Sequence, residues 1–318
     1  MYPQSTVQKI GNRLMVDTGD IGKTILLSGT GRSGTTWVEE VINHDNSYRI
    51  IFEPFTGRKL DILVGWENKQ YLRPSNRDAA YLKAARAILS GKIKSPAIDH
   101  LNHRYFARRR IVKDIRTNLL LGWIKENFPQ IPIILLLRHP CAVANSKLQL
   151  GWGCDLVELF RQTDLVTDFL SPFRERIDAA VDLFDRHILL WCIENYVPLS
   201  QFAPGEALVV FYERLVLSPE EHIPRIMDHV GRPYSNDVIA MTKKPSAFAR
   251  PHSTVFSGED PLRSWEKHIS RSQRKRAADI LSWFGLDKVY GADSLPCVSE
   301  NEALASFSLR PGEPDGPA

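Results

Sequence analysis

Long apolar runs are missing from this 318-residue chain. The longest uninterrupted aliphatic stretch, Ile133 to Leu137, has five residues, whereas a helix crossing a bilayer needs roughly 20. No transmembrane helix is therefore expected. The opening MYPQSTVQKIGNRLMVDTGD contains no apolar core of the kind a secretory leader requires. Cysteine is scarce: Cys141, Cys154, Cys192 and Cys297 form no CxxC pair and no short Cys/His cluster, so no zinc site is legible and no metal is expected. Free, mostly buried thiols in a reducing, cytoplasmic compartment are the expectation, with one disulfide as the alternative.

A large charge excess is also lacking. The 41 basic and 37 acidic residues leave a net charge of +4, which excludes a dominant nucleic-acid-binding tail. It leaves open whether the cations converge on one anionic ligand. The distribution is uneven: Lys92 to Arg116 carries eight basic and two acidic residues, and Asp155 to Asp185 carries eight acidic and three basic ones. Internal repeats and Ser/Gly linkers are absent as well. One domain over residues 1–318 is expected, with 1–22 as a lead-in and 309–318 as a frayed end.

What the chain does contain is a series of short apolar runs separated by helical stretches. Strands are predicted over 23–28, 48–52, 110–113, 132–137 and 207–211. The run 132–137 is near-continuously apolar, as suits a strand covered on both faces. Helices are predicted from Thr36, with Trp37, Val38, Val41 and Ile42 on the apolar side, across 78–89, and beyond Pro140. A long acidic helical stretch over 155–197, broken at Pro172, and a helix near Pro219 capped by Ser218 complete the pattern. The alternation implies an α/β three-layer, P-loop-like domain with a mostly parallel central sheet flanked by helices.

The strongest local signal is Ser28-Gly-Thr-Gly-Arg-Ser-Gly-Thr-Thr-Trp37, placed after a strand and opening a helix. Such a turn aims backbone N–H groups inward, and the helix N-terminus favours an anion. Gly29, Gly31 and Gly34 permit tight geometry. Ser33, Thr35 and Thr36 add hydroxyl donors, and Arg32 adds a charged fork. The Gly29-to-Gly34 spacing is that of GxxxxGK[ST], but Thr35 occupies the lysine position. A nucleotide triphosphatase needs that lysine and a magnesium-binding acid, and neither has an obvious candidate.

The loop GTGRSGTTW resembles the 5′-phosphosulfate loop of sulfotransferases that use 3′-phosphoadenosine 5′-phosphosulfate. The family's second signature, an Arg after a hydrophobic strand with a Ser eight residues on, is matched by Arg138 and Ser146. By resemblance these two hold the 3′-phosphate. Phe211-Tyr212-Glu213-Arg214-Leu215 looks like the family's "RYEDL" segment, which brings Tyr212 to the nucleotide, and Ser264-Trp265 adds a weaker match. The resemblance implies 3′,5′-adenosine bisphosphate as product and a hydroxyl-bearing acceptor as partner. It also points to a nucleotide-closing segment near the C-terminus, where Arg250 and Ser253 are nominated. Trp37 borders the adenine or fills core space.

Sulfuryl transfer needs cations at the leaving phosphate and a base for the acceptor proton. Ile50-Ile51-Phe52-Glu53-Pro54-Phe55 resembles the "FEP" segment of carbohydrate sulfotransferases, which nominates Glu53 as base and a glycan or glycoconjugate hydroxyl as acceptor. Burial would raise the Glu53 pKa and Arg32 would lower it. Lys113, in a strand similar to the family's "VKxxR", is nominated beside the bridging oxygen, with Arg32 as the third catalytic group. The "KTH" histidine of the small-molecule branch is absent, Asp114 standing near its place. His100 and His103 are the alternative bases. The competing readings are a small-molecule hydroxyl sulfotransferase, a P-loop kinase or hydrolase with a degenerate loop, and a non-catalytic nucleotide-binding protein.

Overall fold

The computed structural model describes residues 15–56, 59–242 and 260–307. In chain order, the elements that frame the site begin with β1 (Val16–Asp17), β2 (Thr24–Gly29), α1 (Thr35–Ile42), β3 (Arg49–Phe52) and α2 (Ala79–Leu89). They continue through β4 (Phe106–Ala107), β5 (Arg110–Asp114), α3 (Leu121–Asn127), β6 (Ile133–Leu137) and α4 (Pro140–Gln149). The last are α5 (Leu183–Gln201), β7 (Leu208–Phe211), α6 (Tyr212–Leu217) and α7 (Pro219–His229).

Five strands form one sheet in the order β3-β5-β2-β6-β7, every neighbouring pair parallel. The short apolar runs of the sequence become these strands because both faces are covered. Alternation sends Ile25 and Leu27 to one face with Ile111, Ile134, Leu136 and Val210. There they meet Val38, Val41 and Ile42 of α1 and Ile223, Ile226 and Met227 of α7. Leu26, Val112, Ile133 and Leu135 face the other way, against Val143 of α4 and Ile188, Leu189 and Ile193 of α5. The result is the expected three-layer α/β architecture. β2 lies at the centre, with β5 and β6 on either side, so its C-terminal end is where an open parallel sheet forms a ligand crevice.

Four expectations are corrected. Helix α1 starts at Thr35, because Gly34, at φ 101°, takes the cap position in a left-handed conformation. The lead-in is partly structured: β1 pairs with β4. Asp17 binds the buried guanidinium groups of Arg49 and Arg110, so Arg110 answers to this internal pair and not to a ligand. A six-residue helix, α6, also precedes the one at Pro219. Finally, the 155–197 stretch is helical but divided: short helical segments run from Val157 to Asp178, followed by the 19-residue α5, which Asp182 caps through Phe184 N and Asp185 N. Pro198 is tolerated inside α5 although it cannot donate to the Glu194 carbonyl. Asn118 Nδ2 donates to that carbonyl instead, at 3.0 Å.

All four cysteines are free thiols, three buried and Cys297 exposed. No helix among the described residues is long and apolar enough to cross a membrane. Residues 1–14 of the expected lead-in, the 309–318 tail, and Arg250 and Ser253 lie outside the described residues.

Candidate active site

The glycine loop leaves β2 at the sheet centre and turns back within four residues, with Ser33 N donating to Thr30 O at 3.0 Å. Arg32 sits at φ 80° and Gly34 at φ 101°, so two left-handed residues shape the turn. A Cβ on Gly34 would fall 2.7 Å from the Tyr212 ring. The Ser33 hydroxyl is fully buried and has no hydrogen-bond partner. An unpaired buried hydroxyl beside a helix start is a donor waiting for an anion.

Arg32 Nε donates to Ser146 Oγ on α4 at 3.0 Å. Arg138, directly after β6, donates from Nη1 to the Arg32 carbonyl at 3.3 Å and from Nη2 to the Pro261 carbonyl at 3.2 Å. Its guanidinium lies 4.3 Å from the centre of the Tyr212 ring. Arg32, Arg138, Ser146 and Tyr212 therefore converge, as the spacing predicts. Tyr212 is 9% exposed; it supports Arg138 and closes against Gly34 rather than presenting an open face. Trp37 is half-buried and meets Tyr212 edge-on, centroids 5.6 Å apart.

The support behind Arg138 is elaborate. Trp191 Nε1 donates to the Arg138 carbonyl at 3.0 Å. Glu213 accepts from His139 N and from the Tyr290 hydroxyl, each at 2.8 Å. Burial holds His139 neutral, its pKa lowered to about 3. These contacts fix the strand end, so the guanidinium is aimed before any ligand arrives.

Glu53 follows β3 at φ 48°. Its carboxylate accepts from Lys113 Nζ on β5 at 2.9 Å and from Arg116 Nη1 at 2.9 Å. Burial alone would raise its pKa, but the charges and hydrogen bonds of Lys113 and Arg116 outweigh burial and hold it below the usual carboxylate range. The lowering predicted from Arg32 thus comes from two other cations. Lys113, whose side chain is 3% exposed, is buried against Glu53 and lies over the Phe52 ring. Asp114 accepts from Phe55 N and Arg116 N, both at 2.7 Å, and so pins the loop that carries Glu53.

His100 stacks edge-on against Phe52, centroids 4.9 Å apart, which brings it to the border of the same cluster. Burial, then the charge of Lys59, lowers its pKa. His103 is exposed on the surface and joins nothing here.

Sequence reasoning missed three contributors. Arg116 was visible only as the last letter of a motif. Lys59 reaches the Phe52 carbonyl at 3.3 Å, and burial lowers its pKa. Trp152 has its ring against Gly31, so that a Cβ there would lie 3.3 Å from it. No periodicity marks a side chain that approaches the loop from a distant segment.

An anion-binding loop at the central strand end, a paired carboxylate and a rank of arginines define a group-transferring α/β enzyme. The sulfotransferase family model matches residues 24–236, and the chain belongs to that family. It is similar to a candidate protein-tyrosine sulfotransferase of Caenorhabditis briggsae, 24% identical over 268 residues, covering 82% of this chain and 80% of that one. Nodulation protein NoeE of Sinorhizobium fredii is 26% identical over 226 residues; the match covers 68% of this chain but only 51% of NoeE. Among solved structures, the sulfotransferase domain of the Synechococcus PCC 7002 olefin synthase aligns with a TM-score of 0.45 at 18% identity, covering 82% of this chain and 94% of that one. Mouse sulfotransferase SULT7A1 complexed with PAP gives 0.43 at 14% identity, covering 95% and 94%.

Proposed function

We propose that the chain transfers a sulfuryl group from 3′-phosphoadenosine 5′-phosphosulfate to an acceptor hydroxyl. The single observation that carries this reading is the pairing of one ionised carboxylate, Glu53, with Lys113 and Arg116 next to a loop built for an anion. The residues fit the donor: the buried Ser33 hydroxyl, Arg32 and the α1 N-terminus suit its 5′ end, with Gly31, Gly34, Thr35 and Thr36 shaping that loop. Arg138 and Ser146 suit its 3′-phosphate. The glycan acceptor implied by the FEP segment is one class among hydroxyl acceptors. The one acceptor that the relatives' names state is protein tyrosine, so the conclusion stops at an acceptor hydroxyl.

Glu53 is ionised at neutral pH because its two cations hold its pKa down. Those cations also make it a weak base in the resting site. An anionic donor draws the positive charge of Lys113 and Arg116 toward itself, which raises the proton affinity of Glu53. The acceptor oxygen forms its bond to sulfur while the bond from sulfur to the phosphate oxygen breaks. The electron pair leaves with the bisphosphate, and the hydroxyl proton passes to Glu53. Lys113 and Arg32 stabilise the charge that develops on the leaving oxygen.

The test is Glu53→Gln. Transfer of labelled sulfate should fall by about 10²–10⁴-fold, with 3′,5′-adenosine bisphosphate still bound in calorimetry. Near-normal turnover would move the base to His100, which the fold already places against Phe52.

A further inference from the structure

The end of the sheet opposite the glycine loop carries an exposed cluster that the chemistry does not use. Lys92, Lys94, His103, Arg104, Arg108 and Arg109 are all exposed there. Among them Tyr105 is 43%, Phe106 56% and Val16 53% exposed. Val16 of β1 lies in register with Phe106 of β4, and Val16 N donates to the Tyr105 carbonyl at 2.7 Å. The Arg108 guanidinium lies 5.8 Å from the centre of the Phe106 ring. Strand β5 starts at Arg110, directly after this cluster, and ends at Asp114, which pins the loop of Glu53. Four steps of a strand put about 13 Å between the two ends.

The platform beneath the cluster is fixed and internally neutral. Buried Arg49 donates to Asp17 of β1 at 3.0 Å, to Asp99 at 2.8 Å, and to the Gly91 and Ile93 carbonyls at 2.6 Å each. It thereby ties the segment bearing Lys92 and Lys94 to β1. Arg110 also pairs with Asp17, so two buried arginines and two buried aspartates cancel. Asp45 is spent on Arg232 at 2.8 Å, and the exposed Asp20 turns its carboxylate to Gly22 N at 3.0 Å. Arg104 donates to the Asp45 carbonyl at 3.2 Å. Among the described residues, Lys92, Lys94, Arg104, Arg108 and Arg109 enter no ion pair.

This chemistry selects the partner. Five cations beside three exposed apolar side chains call for an anionic surface with an apolar interior. The cations come from three separate segments, 92–94, 104 and 108–109, so a linear acidic peptide has no single track to follow. Strands β1 and β4 have two residues each, too few to take up a further strand from a partner. A lipid surface demands neither track nor register. Aromatic and aliphatic side chains enter its headgroup boundary, while Lys and Arg lay their stems on apolar surface and keep their charges at the phosphates.

We propose that this end of the molecule docks on an anionic lipid bilayer, with Val16, Tyr105 and Phe106 entering the headgroup layer and the exposed Lys and Arg side chains meeting lipid phosphates. Docking of this kind holds the ligand crevice, at the other end of the strands, away from the bilayer and makes no demand on the reaction there.

The experiment measures co-sedimentation of the full chain with vesicles of phosphatidylcholine alone and of phosphatidylcholine with about one-third phosphatidylserine. Binding should favour the anionic vesicles by about 20-fold or more at low salt. It should fall about tenfold or more at ~0.5 M salt, where the screening length is about 4 Å. Replacing Arg108 and Arg109 together by alanine should weaken binding about 25-fold, at about fivefold per cation, whereas lysine at both should stay within about threefold of the parent. Phe106→Ala should weaken it about tenfold. Bisphosphate affinity and Tm of these variants should match the parent, which separates lost docking from lost folding. Equal binding to both vesicles, binding to neither, or full binding by the double alanine variant would overturn the proposal. Sedimentation equilibrium without lipid tests the other occupants. A salt-sensitive dimer broken by the same arginine substitutions would assign the face to a second copy of the chain, through its acidic Asp155–Asp185 stretch. Binding of polyglutamate with no uptake by vesicles would assign it to an acidic peptide. Either result would overturn the lipid surface as partner.

Discussion

Replacing Gly34 with alanine tests whether the loop geometry is imposed by its surroundings. Gly34 has φ 101° and ψ 13°, a conformation that costs a non-glycine residue about 1–3 kcal/mol. The new methyl would sit 2.7 and 2.8 Å from Cδ2 and Cε2 of Tyr212, so the ring must retreat by about 0.7 Å to reach ordinary contact. Tyr212 has little room to do so, being 9% exposed, edge-on to Trp37 and beneath Arg138. Overpacking of this kind costs about 1–3 kcal/mol. Together the two effects predict a loss near 3–4 kcal/mol, or a Tm lower by about 4–6 °C for a chain of this size. Tyr212→Leu removes the ring edge but not the backbone strain. In the double variant the losses should therefore fall short of additivity by about 1–2 kcal/mol. Thermal and urea denaturation of the four proteins supplies the cycle. A Tm drop below 2 °C for Gly34→Ala, or a cycle additive within about 0.5 kcal/mol, would refute the reasoning.

Two further predictions follow from the charges. Arg138→Ala removes a charged fork worth about 1.5–3 kcal/mol to a bound anion, so 3′,5′-adenosine bisphosphate should bind about 10–150-fold more weakly in calorimetry. Adenosine 5′-phosphosulfate, which lacks the 3′-phosphate, should change by less than about threefold; an equal loss for both would remove Arg138 from the 3′ role. Glu39 on α1 is buried with an unpaired Oε2. Burial, then Glu40, raises its pKa from 4.5 to about 8. Because its folded pKa lies above its unfolded one, its stabilising share is complete below pH 4.5 and is lost as pH rises toward 8. The slope is about 1.4 kcal/mol per pH unit for one proton. Glu39→Gln should flatten that decline in urea melts taken from pH 5 to 8, and parallel curves for the two proteins would contradict it.

The sheet was legible because burial on both faces writes itself as uninterrupted aliphatic residues. Ile133–Leu137 and Thr24–Gly29 could hardly be anything else once Gly and Pro marked their ends. The 155–197 stretch was not legible, for an equally physical reason. Its last helix begins where Asp182 caps it, and that helix continues past Pro198 with Asn118 reaching across to the carbonyl that the proline leaves free. Asn118 is 76 residues away in the chain from that carbonyl. Local periodicity carries no trace of such a partner, so Pro172 drew the break that Pro198 did not make.

The same distinction divides the site. Arg32 and Arg138 were readable because each follows the end of a strand, and strand ends gather wherever a parallel sheet stops; Ser146 was readable only by its spacing from Arg138, and α4 carries it to Arg32. Glu53 was readable as a carboxylate but not as a base of defined strength, since its pKa depends on Lys113 and Arg116, one strand away in β5 and just beyond it. The basic run from Lys92 to Arg116 shows why counting charges could not resolve this. Arg110 is consumed by Asp17 inside the fold, Arg104, Arg108 and Arg109 are exposed, and only Lys113 and Arg116 reach the carboxylate. Cations separated by a few residues thus serve an internal pair, the solvent and the chemistry, and strand register decides which. Residues 110 and 113 point to opposite faces by the pleat, so a one-residue slip of β5 would exchange their duties and leave Glu53 unpaired. The register of Leu27 against Lys113 therefore determines the charge state of the base.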